Sequence, residues 1–179
     1  METKIKYQWH SFENKRIQLM TDLSKHNHIV LNKKPTTEAW STLQVMQHLM
    51  AAELASLTYM KKKLSYGVNI PKAGFKSKMR RLALTIVFVL PFKYKAPTQL
   101  ETFPESADFE NLKTEWASQR LDLQDFIEKL PDNVIESEIW RHQIFGKMNI
   151  SQMIDFFETH FDRHKKQIEK TLNIVTQLS

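Results

Sequence analysis

Between Ile150 and Val175 the apolar residues Ile150, Met153, Ile154, Phe157, Phe161, Ile168, Leu172 and Val175 recur at helical spacings. On an α-helix that period makes one continuous apolar stripe, whereas on a strand it would scatter the same residues over both faces. A long amphipathic helix is therefore predicted, beginning after Gly146 with Asn149 or Ser151 as its cap, and its stripe must be buried against partners. Three earlier blocks repeat the pattern. The first runs roughly from Trp9 to Val30 with Trp9, Phe12, Leu19, Leu23 and Val30 in phase, and stops before Pro35. The second runs from about Trp40 and Ser41 to Leu64, carrying Leu43, Met46, Met50, Leu54, Leu57 and Leu64, until Gly67 and Pro71 interrupt it. The third starts near Ser106, a candidate N-cap followed by Asp108 and Glu110, and ends at Leu130 before Pro131. Its predicted core face is Phe109, Leu112, Trp116, Leu123, Phe126 and Leu130.

Only three glycines occur in 179 residues, which suits long helices better than a turn-rich β-protein, so the expected fold class is all-α. The length fits one domain over residues 1–179 with a sizeable core. Residues 66–105, between the second and third blocks, are too many for a tight turn and enough to travel the length of a helix. Helices two and three are therefore expected to run parallel, joined by a long crossover in an up-down-down-up four-helix bundle. No window approaches the roughly 20 apolar residues of a membrane span, and the first residues lack the apolar stretch of a secretory signal. A cytoplasmic protein is expected. With no cysteine, disulfides, thiolate metal sites and a cysteine nucleophile are excluded, and any metal must be held by nitrogen and oxygen.

The net charge of +6 is concentrated: Leu54 to Leu100 holds ten Lys or Arg and no acidic residue, leaving sixteen basic against twenty acidic residues elsewhere. This basic crossover is read as a solvated face, with neither nucleic acid nor a membrane expected as partner. Inside it, the apolar run from Leu82 to Leu90, flanked by Lys78, Arg80 and Arg81 and by Lys93 and Lys95, is expected to form a short helix. That helix would pack on the bundle or on a dimer partner. There is no glycine-rich phosphate loop and no nucleophile elbow.

Chemistry enters with the histidines. In Phe157-Glu-Thr-His160-Phe-Asp-Arg-His164 two imidazoles stand four residues apart, so they project about 40° apart on one helix face. They fall within the stripe of Met153, Phe157, Ile168 and Val175, while Asp155, Glu158, Asp162, Lys165, Lys166 and Glu169 lie opposite. Buried imidazoles need partners, and one ion would satisfy both; two hydrogen-bonded core histidines is the alternative. His48 is the natural third ligand, mid-helix in the second block with Ala51, Ala52 and Ala55 leaving space around it. This requires helix two to bury a second face, because His48 lies off its leucine and methionine stripe. Three neutral imidazoles leave a coordination position open, as catalytic sites do. His10, His26 and His28, near the ends of the first block, are weaker choices, and His142 is expected in a loop at the mouth of a pocket.

Two segments carry a family resemblance: Trp40-Ser-Thr-Leu-Gln-Val-Met-Gln-His48-Leu-Met-Ala-Ala-Glu53, and His142-Gln-Ile-Phe-Gly146 followed by His160-Phe-Asp-Arg-His164-Lys-Lys-Gln167-Ile168. Together they resemble the DinB-like (YfiT-like) superfamily over about residues 5–175. The resemblance implies an up-down-down-up bundle, often dimeric, with a divalent metal, typically zinc or nickel, on three histidines that map onto His48, His160 and His164. Gln143 departs from the pattern, in which proline often follows the loop histidine. Relatives include thiol-dependent S-transferases and an isomerase, so family membership alone does not choose a reaction. The expected function is a metal-dependent enzyme acting on a small molecule, in which a low-molecular-weight thiol attacks an electrophile. The competing readings are a metal-dependent hydrolase and a non-enzymatic binding or stress-response module. Hydrolysis needs a general base, yet Glu53 should lie on the wrong side of its helix from His48, and Gln44 cannot titrate.

Overall fold

The computed structural model describes residues 3–67, 70–76, 79–80, 82–83, 103–142 and 145–177. Along the chain run α1 (Thr3–Leu23), α2 (His28–Asn32), α3 (Thr42–Ser65), α4 (Phe109–Glu128) and α5 (Asp132–Ile135). They are followed by strands β1 (Trp140–His142) and β2 (Gly146–Met148), and by α6 (Ile150–Gln177). The fold is all-α apart from the antiparallel β1–β2 hairpin. Among the described residues no helix is long and apolar enough to cross a membrane.

Polar caps set the helix ends. Ser41 Oγ accepts the Gln44 backbone N–H at 3.2 Å, and Gln44 Oε1 accepts the Ser41 N–H at 3.0 Å, a reciprocal box that starts α3. Asn149 and Gln152 exchange the same two bonds at 3.0 and 3.1 Å and start α6. The cap of α4 is Asp108, whose carboxylate accepts the Asn111 N–H at 2.8 Å, rather than Ser106. Both residue types cap well, so only geometry separates them. The first block also differs from expectation. It begins at Thr3 and breaks after Leu23, and Asn27 caps the separate α2 by accepting the Val30 N–H at 2.9 Å. An Asn side chain that bonds nearby backbone competes with helix continuation, and that competition ends α1 early.

The four long helices close around one core, with α1 and α3 each packed against both α4 and α6. Trp9, Phe12, Leu43, Met46, Trp116, Leu123, Phe157, Phe161 and Ile168 fill the centre, each buried. Burying one such side chain stabilises the fold by about 1.5–3 kcal/mol. Relative directions follow from the polar contacts. Gln8 bonds Asp155, Ser11 bonds Glu158 and Lys15 bonds Asp162, both numbers rising together, so α1 and α6 run parallel. Trp9 bonds Gln124 while Glu13 bonds Arg120, so α1 and α4 run oppositely. The acidic side of α6 therefore faces α1, not open water.

On α3 the predicted stripe holds for Leu43, Met46, Met50 and Leu57, but Leu54 is half exposed. A second face carrying Val45, His48, Leu49 and Glu53 is buried as well, as the histidine proposal required. Glu53 is paired there with Arg120, accepting from Nε at 2.5 Å and Nη2 at 2.8 Å, and from Trp116 Nε1 at 3.0 Å. The Arg120 guanidinium also lies 3.5 Å from the Phe12 ring centroid, tying α4 to α1. The crossover enters along the segment before β1: Ala73 N–H donates to Glu136 O and Glu138 N–H to Pro71 O, both at 2.9 Å. Of the apolar run at 82–90 only Leu82 and Ala83 are described, with Leu82 exposed; the rest lies outside the described residues.

Substituting Glu53→Ala leaves the buried Arg120 with only Glu13, at 3.3 Å, as carboxylate partner. Urea unfolding should show a loss of about 3 kcal/mol or more, because an uncompensated charge stays buried. Ser41→Ala should cost about 1 kcal/mol for the lost cap. Equal costs would contradict the buried-charge account.

Candidate metal centre

Helix α3 supplies His48, and α6 supplies His160 and His164 from successive turns. One nitrogen from each imidazole lies within 4.8 Å of the others. The closest approach is 3.3 Å, between Nε2 of His48 and Nε2 of His160, and the ring centroids are 4.5 to 5.2 Å apart. His48 and His160 are buried and His164 is half-buried. The three residues singled out in the sequence therefore meet, whereas His10 and His28 are exposed and His26 is half-buried, none of them in the cluster.

Burial disfavours the charged form of both imidazoles on α6. Burial pushes His160 well below its ordinary 6.5, and the neighbouring His164 and His48 add to the effect. Burial, then the charge of His48, takes His164 down to about 4. His164 Nδ1 stands 2.8 Å from Gln167 Oε1, and an amide oxygen only accepts, so Nδ1 carries the proton and Nε2 keeps its lone pair. Sequence reasoning quoted Gln167 but gave it no role; its position three residues after a candidate ligand was the available signal. The donor set fits a divalent ion of zinc's type. Nitrogens around a tetrahedral zinc stand about 3.3 Å apart, given bonds of about 2.0–2.1 Å, and the closest pair here is 3.3 Å apart.

The surroundings are aromatic rather than alanine-lined. Ala51 and Ala52 are half-buried and Ala55 is exposed, so the alanines do not create the site. His48 instead packs against Trp40, at 5.0 Å between ring centroids, and Phe103, at 6.4 Å. Phe156 stacks on His160 at 5.3 Å with planes 12° apart. His142 lies on β1 rather than in a loop, 4.8 Å from the Phe156 ring, and its Nδ1 accepts the Phe145 N–H at 3.3 Å. Burial lowers the His142 imidazole to about 4. The hairpin that carries it turns at Gly146, whose φ of +81° favours glycine. That glycine was the one sequence sign of a turn there; Gln143 lies outside the described residues. Glu53 is committed to Arg120 and Trp116, and Gln44 to the α3 cap and Pro104 O.

A helical bundle with three imidazoles converging from two of its helices defines a class of candidate metal-binding proteins. The profile of the DinB superfamily matches residues 18–168, a span that contains all three histidines, and the chain belongs to that superfamily. It is also 25% identical over 159 residues to an uncharacterized protein, YuaE, of Bacillus subtilis (strain 168), covering 89% of this chain and 93% of that one. No solved structure gives a significant match.

Depressed imidazole pKa values make the metal-free fold sensitive to acid. Between about 6.5 and about 4 the unfolded chain binds protons that folded His164 refuses, so stability falls as pH drops through that window and levels off below it. The slope should reach about 1.4 kcal/mol per pH unit for each such group. Urea midpoints of metal-free protein across pH 7 to 4 should show this decline, and His164→Gln should flatten it. An unchanged slope in the variant would assign the acid sensitivity elsewhere.

Proposed function

We propose that the protein holds one divalent metal ion, zinc or nickel, through His48, His160 and His164, and uses it as an enzyme that transfers a low-molecular-weight thiol to an electrophilic small molecule. The observation that carries the metal reading is the convergence of three imidazoles within 4.8 Å. Superfamily membership and the Gln167 bond to His164 support it. Nitrogen donors suit both metals.

A bound divalent ion would supply one service, lowering the pKa of a thiol so that thiolate is populated at neutral pH. Everything else falls to the chain. Three uncharged ligands leave the charge of the ion uncompensated by protein, which favours an anionic ligand such as thiolate. Arg163, whose positive charge bears on both His160 and His164, acts in the same direction. In the transfer itself the thiol sulfur forms a carbon–sulfur bond as the bond from that carbon to its leaving group breaks, and the thiol proton passes to water. A cytoplasmic setting keeps such thiols reduced, which suits the reaction. Hydrolysis gains less support, since Glu53 is occupied by Arg120 and Gln44 cannot take a proton. A homodimer is part of the proposal; exposed Ile17 and Leu121 are candidates for its contact surface.

Elemental analysis of protein purified without a histidine tag should find one equivalent of metal, lost in His48→Ala and in His160→Ala. Protein that takes up neither zinc nor nickel would sink the proposal. Metal-loaded protein should then consume thiol when offered a panel of electrophiles. Gln167→Ala should weaken metal binding about 10- to 100-fold, the usual cost of losing a partner that orients a ligand. Competition with a chromogenic chelator measures it.

A further inference from the structure

Aromatic side chains flank the histidine cluster on two sides. Trp40, Phe103, Phe145, Phe156 and His142 are all half-buried, and they stand in a chain of ring contacts around it. Trp40 and Phe103 meet edge to face at 5.6 Å and both approach His48. On the other side Phe156 lies flat against His160 and touches His142, which touches Phe145. Rings that the bundle leaves half covered, beside buried imidazoles, keep apolar faces available to a ligand. Their supports are rigid: Trp40 precedes the capping box of α3, Phe156 is on α6, and the hairpin holds His142 through the pairing of Trp140 with Met148.

Resting on the metal reading above, we infer that this aromatic wall receives a flat, apolar organic group of the substrate. The substrate class is then an aromatic or similarly planar electrophile rather than a sugar or a highly charged metabolite. A polar substrate would strip water from its own hydrogen-bonding groups against rings that cannot replace it.

The test uses cobalt(II)-loaded protein, whose visible spectrum reports ligands reaching the ion, titrated with imidazole and with 4-phenylimidazole. The two probes share a donor and differ by one phenyl ring. Wild-type protein should bind 4-phenylimidazole about tenfold more tightly or better, from burial of that ring. Trp40→Leu and Phe156→Leu, which keep apolar volume for folding but remove the flat face, should shrink the preference several-fold while cobalt uptake stays unchanged. Normal cobalt uptake with equal affinity for the two probes, or a preference intact in both variants, overturns the aromatic-wall inference alone. Failure to take up cobalt overturns the metal reading and this inference with it.

Discussion

Everything at the candidate centre depends on burying two imidazoles on successive turns of α6 against a third on α3. Helix α6 has to bury its apolar stripe, and His160 and His164 go in with it. Once inside, they lose water, and burial holds them neutral. A shared cation would satisfy several inward lone pairs at once, and hydrogen bonds between the rings satisfy some of them. The 3.3 Å contact of His48 with His160 is compatible with either.

The bundle contains a second buried polar cluster, and the contrast is instructive. Glu53, Arg120, Glu13 and Trp116 combine opposite charges and matched donors, so the cluster neutralises and satisfies itself. It pins α3, α4 and α1 together. The histidine cluster combines no such opposite charges, and burial disfavours the charged form of His160 and His164. Both include residues from the buried second face of α3, with His48 and Glu53 five positions apart pointing in different directions. The ion pair thus helps to fix the helix that presents His48, while keeping the nearby carboxylate out of the chemistry.

Small polar devices supply the remaining precision. The reciprocal boxes at Ser41 and Asn149 start the two helices that carry the histidine cluster at defined residues, and Gln167 orients the His164 ring. The β1–β2 hairpin then brings His142 beside Phe156, so a residue far from His48 in sequence joins the rim of its site.

Much of this was legible in the sequence, and the limits were physical. Helical periodicity specified α6, its apolar face and the inward direction of His160 and His164, because these depend on local geometry alone, while its cap was left between Asn149 and Ser151 until the Asn149–Gln152 bonds chose the first. The start of α4 was misjudged where neighbouring residues cap equally well, the end of α1 where Asn27 caps a separate short helix, and the hairpin left only a glycine as a sign. The sequence by itself determined that the fold is helical and that two imidazoles share one helix face, since 3.6 residues per turn is a property of the chain. Only the tertiary structure decided that His48 meets them, that Glu53 is withheld by Arg120, and that aromatic rings rather than alanines surround the cluster. Those relations join residues as distant in sequence as His48 and His164, and packing between helices, not spacing along one, sets them.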